Sequence, residues 1–142
     1  MTESFSVLVV DDEPAFREGL RQALKQEGFI VHLAADGEEA LEVWQTYHPD
    51  IVLDRDRHEV TIAGELVQLP LKEFQLLALL MENAGIVVTR QTLIDRVWGY
   101  DYVGDTKTLD VHIKRLRAKV EPTPDTPECI VTIRGLGYKL SS

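Results

Sequence analysis

Hydrophobic positions along this chain follow two different rhythms, and they change at about residue 54. Residues 7–10, VLVV, form a short β-branched run stopped by Asp11, Asp12 and Pro14, the pattern of a buried strand handing over to a helix. From Phe16 the apolar residues Phe16, Leu20, Ala23 and Leu24 recur at helical spacing until Gly28, and FIVHLA then reads as a second strand. A second helix is expected from Gly37 to about Tyr47, with Ala40, Leu41 and Trp44 on one face. Pro49 ends it, and Ile51, Val52 and Leu53 make a third buried strand. The order βαβαβ predicts parallel strands and an α/β unit.

After Asp54 no Gly-, Ser- or Pro-rich linker intervenes, yet the pattern is different. HEVTIAGELVQL alternates on both sides of Ala63-Gly64, a hairpin signature. Leu71 to Asn83 reads as a helix with Phe74, Leu77, Leu80 and Met81 inward and Gly85 as its stop. Thr89 caps a short helix carrying Leu93, Ile94, Val97 and Trp98, and Asp105 or Thr106 caps a longer one running to about Val120. EPTPDTPE is expected as a loop, and CIVTIR and YKL flank Gly135 and Gly137 as a second hairpin. The sequence divides into residues 1–54 and 55–142: α/β followed by α+β.

On a helical wheel, residues 106–120 place Leu109, Ile113, Leu116 and Val120 in one apolar stripe, and Lys107, Val111, Lys114 and Ala118 opposite, with Asp110, Arg115 and Arg117 on the flanks. On charge alone such a face is as readily a solvated one. A valine set outward among cations is better suited to the major groove of double-stranded DNA, where small apolar groups meet thymine methyls and cations meet guanine and phosphate. The short helix, the long helix and the hairpin together are the parts of a winged helix-turn-helix, whose wing could carry Arg134 into the minor groove. His112 falls near the core edge, where a packed histidine is the plainer reading than a ligand.

The net charge of -9 conceals an asymmetry. Residues 1–54 hold twelve acidic and three basic side chains, residues 55–142 twelve of each, and the stretch 106–119 has five basic side chains against Asp110 alone. One cysteine, Cys129, allows no internal disulfide and is expected as a buried small hydrophobe. No long apolar run points to a membrane, so a cytoplasmic protein is expected. No Ser/His/Asp set, glycine-rich phosphate loop or HExxH supports an enzyme.

The runs LPLKEFQLLALLMENAG, VVTRQTLIDRVWG, TKTLDVHIKRLRAKVEP and VTIRGLGYKL closely resemble the effector domain of winged-helix response regulators of the OmpR/PhoB class, more particularly its RegX-type actinobacterial members. The resemblance implies that Lys107, Thr108, His112, Lys114 and Arg117 contact the phosphate backbone and that Asp110, Val111 and Arg115 approach base edges. It places Thr132 and Arg134 in the wing. It also implies direct-repeat promoter DNA as the target, RNA polymerase as a partner of the loop 99–105, and a homodimer.

Residues 5–54 resemble the start of the same family's receiver domain, a flavodoxin-like half. Asp11 and Asp12 would then supply oxygen ligands to Mg²⁺, although acidic residues before a helix are also favoured as caps. The phosphoacceptor is expected after PDIVLLD, whereas this chain reads PDIVLDRDR, one leucine shorter. Arg55 takes the expected place, and both Asp54, the candidate acceptor, and Asp56 have the wrong parity for a strand continuing in register. The later receiver strands and helices have no counterpart, which makes a cognate sensor kinase doubtful and leaves an uncovered face and an unpaired strand edge. Three functions compete: a DNA-binding regulator uncoupled from phosphorylation and needing no cofactor to bind DNA, a receiver-pairing protein that modulates a full-length regulator, and a receiver that phosphorylates itself on Asp54.

Overall fold

The computed structural model describes residues 5–121 and 129–141. Of the expected proline loop only Glu121 falls within them; residues 122–128 lie outside the described residues. Two compact units are present, one ending at Gln68 and the other spanning Leu69–Ser141.

The first unit opens with β1 (Ser6–Val10), α1 (Pro14–Gln26), β2 (Ile30–Ala34), α2 (Gly37–Tyr47) and β3 (Ile51–Asp54). Strand β1 is flanked by parallel β2 and parallel β3, as the alternating order of strands and helices requires. Pro14 opens α1, where its missing N–H costs nothing. Asp36 caps α2 by accepting from the Glu39 N–H at 2.8 Å.

The expected unpaired edge of β3 is not there. Residues 55–58 turn the chain back, and β4 (Glu59–Ile62) pairs antiparallel with β3, with Asp54 opposite Glu59. Strand β5 (Glu65–Val67) completes a five-stranded sheet of order β2-β1-β3-β4-β5. The open hydrogen-bonding groups of β3 are satisfied by the segment that follows it directly, the least costly partner in loop-closure entropy. The unit boundary therefore falls after Gln68, beyond the change of pattern at Asp54. The β4–β5 turn has positive φ at both Ala63 and Gly64 (50° and 83°), the twist-matched geometry of a two-residue hairpin.

Covering of this sheet is uneven. Leu20 and Leu24 of α1 are buried, but α2 buries no residue fully. Ala40 and Val43 pack on Leu8, Val10 and Ala34. Leu41 and Trp44, expected on the inner face, are 57% and 36% exposed.

The second unit comprises α3 (Leu71–Glu82), β6 (Val88–Thr89), α4 (Arg90–Val97), α5 (Lys107–Val120), β7 (Ile130–Ile133) and β8 (Gly137–Leu140). Helices α3, α4 and α5 bury Phe74, Leu76, Leu80, Leu93, Ile113 and Leu116 in a shared core. Strands β6, β8 and β7 form an antiparallel sheet in that order. The two-residue β6 is too short to show periodicity in sequence. Buried Glu73 of α3 is held by Lys119 of α5 at 2.7 Å, so this acidic side chain has its counter-charge. Cys129 is half-buried, less than expected, because it lies at the start of the hairpin, where its N–H donates to Glu121 at 2.9 Å. No helix among the described residues is long and apolar enough to cross a membrane.

Candidate nucleic-acid interface

Helix α5 divides as its wheel implies. Leu109, Ile113 and Leu116 are fully buried, and Val120 is half-buried at the last turn. Lys107, Lys114, Arg115 and Ala118 lie on the opposite, more open side, and Val111 is 44% exposed. The start of the helix is fixed by Asp105, whose carboxylate accepts from the Lys107 N–H at 2.8 Å, while Thr106 makes no side-chain cap. The preceding helix α4 is capped as expected by Thr89, which accepts from the Thr92 N–H at 3.2 Å.

The other expected contact residues are more engaged with the protein itself. His112 is half-buried, edge-on to Trp98 at 5.1 Å, with Nδ1 2.7 Å from the Thr108 carbonyl. A carbonyl can only accept, so Nδ1 carries the proton and the ring is a packed one. Arg117 donates from Nε and Nη2 to the Ile130 carbonyl at 3.0 and 2.8 Å, and from Nη2 to the Thr132 hydroxyl at 2.7 Å. This guanidinium ties the exit of α5 to β7. Thr132 and Arg134 are exposed, the latter at the turn between β7 and β8.

Asp110 is the most heavily engaged. Its carboxylate accepts from Arg90 Nη1 at 2.5 Å and Nη2 at 3.0 Å, and from the Tyr138 phenol at 2.5 Å. The hydrogen bonds from Arg90 hold its carboxyl below the usual range against the opposing effect of burial. Burial, then the hydrogen bond to Asp110, push the Tyr138 phenol up to about 12. The two shifts agree: the shared proton stays on the tyrosine. Gly137 next to it cannot carry a side chain, since a Cβ there would fall 2.1 Å from the Val88 carbonyl of β6. The hairpin thus stands against β6 and α5 as one piece.

In the first unit the end of β1 gathers acid. Asp11, Asp12 and Asp56 bring carboxylate oxygens within 4.8 Å of one another, the kind of donor set that suits Mg²⁺. Asp56 beside it, and then Asp11, hold the Asp12 carboxyl above the usual range, the mark of negative charge lacking a full counter-charge. Asp11 is the buried member, and both its oxygens have partners: Oδ1 accepts from the Glu13 N–H and Oδ2 from Arg55 Nη1, each at 3.1 Å. The Arg55 guanidinium also lies 3.4 Å from the centre of the Phe16 ring. A cation could be held by Asp12 and Asp56, with Asp11 shared with Arg55.

Asp54 is not in that cluster. It lines a depression with Leu8, Val10, Ala40 and Val52, on the α2 side of the sheet, and accepts from the Arg57 N–H at 3.0 Å. Arg55 meets Phe16 of α1 on the other side, as strand alternation requires. Sequence reading missed Arg90 and Tyr138, and it set Asp56 aside on strand parity without placing it beside Asp11 and Asp12. Arg90 and Tyr138 carry no local signal, being 20 and 28 residues from Asp110. Asp56 could have been found from the turn that must follow a strand read as DRDR.

Residues 64–140 match the family described as "Transcriptional regulatory protein, C terminal", and residues 7–55 match the response regulator receiver domain. Sensory transduction protein RegX3 of Mycobacterium leprae is 63% identical over 90 residues, covering 63% of this chain and 46% of that protein. The chain therefore spans less than half the length of this relative. The DNA-binding domain of RstA from Klebsiella pneumoniae, solved in complex with the RstA box, is 32% identical with a TM-score of 0.59, covering 65% of this chain and 91% of that one. The response regulator DrrB, described as a Thermotoga maritima OmpR/PhoB homologue, shares the fold at 21% identity and a TM-score of 0.53, over 99% of this chain and 100% of that one. The match over 64–140 and the order of elements agree: the chain belongs to the OmpR/PhoB-type response regulators, with their winged-helix transcriptional regulatory domain and part of their receiver.

Proposed function

We propose that this chain is a sequence-specific regulator of transcription in the cytoplasm, which reads direct-repeat DNA through α5 and the β7–β8 wing and is uncoupled from phosphorylation. The observation that carries DNA reading is the outward face of α5, where Lys107, Lys114 and Arg115 stand around the exposed Val111. Thr108, His112 and Arg117 line the same helix, and Thr132 and Arg134 extend the surface onto the wing. The loop 99–105 carries Tyr100 and Val103, 79% and 98% exposed, a tip suited to RNA polymerase.

Uncoupling rests on Arg55. It stands where the acceptor aspartate is expected, and it spends its charge on Asp11, while Asp54 faces the other side of the sheet. Mg²⁺ at Asp11 and Asp12 would supply charge neutralisation for an incoming phosphoryl group, but the candidate acceptor is not beside it.

Gel shifts on a direct-repeat duplex test the reading. Alanine at Lys114, Arg115 and Arg117 together is expected to abolish the shift and to flatten the salt dependence, by about 0.9 in log-log slope for each phosphate no longer neutralised. Unchanged binding refutes the reading. A small phosphodonor should add no mass to the chain, and a phosphoryl group found on Asp54 overturns the uncoupling.

A second reading is favoured by the uncovered side chains of the first unit, Leu41, Trp44 and Tyr47. They suit a receiver-pairing protein, with a second copy of this chain or a full-length regulator as partner. A monomer by light scattering, alone and with a full-length receiver, dismisses it.

A further inference from the structure

A carboxylate among the cations of a groove-facing helix needs an explanation, because phosphates repel it unless its charge is used or cancelled. Asp110 is that carboxylate, and the resemblance to the family sets it near base edges. Its surroundings point elsewhere. Oδ1 receives both Arg90 Nη1 and the Tyr138 hydroxyl, and Oδ2 receives Arg90 Nη2. To accept from a base amino group it would have to share or surrender these donors.

We propose that Asp110 is a positioning residue and not a base reader: with Arg90 and Tyr138 it locks the first turn of α5 to the start of α4 and to the wing strand β8. The inference rests on the reading of α5 as the DNA-reading helix.

Three features support it. Arg90 Nη2 also donates to the Thr106 carbonyl at 3.2 Å, so one guanidinium holds both the entry of α5 and its first acidic side chain. A cation at a helix entry opposes the helix dipole, and Asp110 in the first turn offsets that cost. Tyr138 is a hub: its ring is buried, its hydroxyl holds Asp110, and the Arg117 guanidinium lies 5.4 Å from its ring centre while bonding β7. The two ends of α5 are therefore tied to the same hairpin, Asp110 at the entry and Arg117 near the exit. The pose of Val111 and Arg115 is set by this frame, and small errors of pose are enough to disengage a forked arginine from a base.

The test uses the full chain. Its preferred duplex is selected from a random-sequence library, and affinities are measured for that duplex and for a scrambled one of equal length and composition. Arg90→Gln, Tyr138→Phe and Asp110→Asn are each expected to lower discrimination by about tenfold, within the worth of one bidentate base contact. In Tyr138→Phe, which alters no charge, affinity for scrambled DNA, the salt slope and the preferred sequence should stay unchanged. The double variant Arg90→Gln/Asp110→Asn should be no worse than its poorer single, the signature of one shared unit.

Tyr138→Phe removes only a hydroxyl and keeps the ring under Arg117, so it guards against loss of fold. The inference is overturned if Asp110→Asn changes the preferred base at one position while Arg90→Gln and Tyr138→Phe leave discrimination intact. It also fails if all variants lose both duplexes in step with their melting temperature, since that is a plain stability effect. A wild-type chain with no preference among duplexes removes the proposed function itself, and the inference with it.

Discussion

The two units solve the same problem, hiding apolar surface, with unequal success. Helix α3 buries eight side chains, from Glu73 to Met81, whereas α2 fully buries none and leaves Leu41, Trp44 and Tyr47 open. In the second unit each helix has another helix or the hairpin to lie on. Among the described residues of the first, the helices that can cover five strands are two, α1 and α2. A sheet can complete its hydrogen bonds by recruiting the next segment of chain, as β3 recruits β4, but that supplies no layer over its faces. Backbone satisfaction and core formation are separate requirements, and the first unit meets the former better than the latter.

The largest expected effect breaks this comparison most directly. Ile113→Ala, at a position with no exposure, should cost about 2–5 kcal/mol in urea melts, while Leu41→Ala should stay within about 0.5 kcal/mol. Equal losses would mean that α2 is buried in solution.

A smaller effect concerns pH, and both signs come from the same cluster. Asp110 has a lowered carboxyl, so its contribution is present above the ordinary carboxylate range and lost as pH falls through the lowered value. Tyr138 has a raised phenol, so its contribution is whole below pH 10.0 and lost as pH rises through about 12. Melting temperatures of Tyr138→Phe should lose the alkaline decline between those values, and a decline that persists in the variant contradicts the assignment. The smallest effect is at the β4–β5 turn. Ala63, at φ 50°, should gain up to about 1 kcal/mol on replacement by glycine, read as a rise in melting temperature. A fall would show that the turn is not held in that conformation.

Legibility from sequence follows the range of the interactions. The buried side of α5 is readable because Leu109, Ile113 and Leu116 repeat with the helical period, and the turn at Ala63-Gly64 because its geometry is local. Pairing of β3 with β4 is not legible, since the change of pattern at Asp54 suggests a border, and a strand's alternation does not name its neighbour. The inner face of α2 is legible only in part: Ala40 packs on the sheet as its spacing implies and Val43 joins it, while the more hydrophobic Leu41 and Trp44 stay exposed. At the candidate interface the outward cations are legible from the wheel. The engagement of Asp110 and Arg117 is not, because their partners lie far along the chain and polar side chains have no period.

Strand β3 has a parallel neighbour on one side and an antiparallel one on the other, so a single run of four residues belongs to both styles of pairing. Its consequence is practical for anyone who would dissect this molecule. A scissile point chosen at residue 54, where the chemistry of the sequence shifts, would strip the following ribbon of its support and leave a two-stranded remnant, marginal in water by itself. Severing after Gln68 spares every ladder.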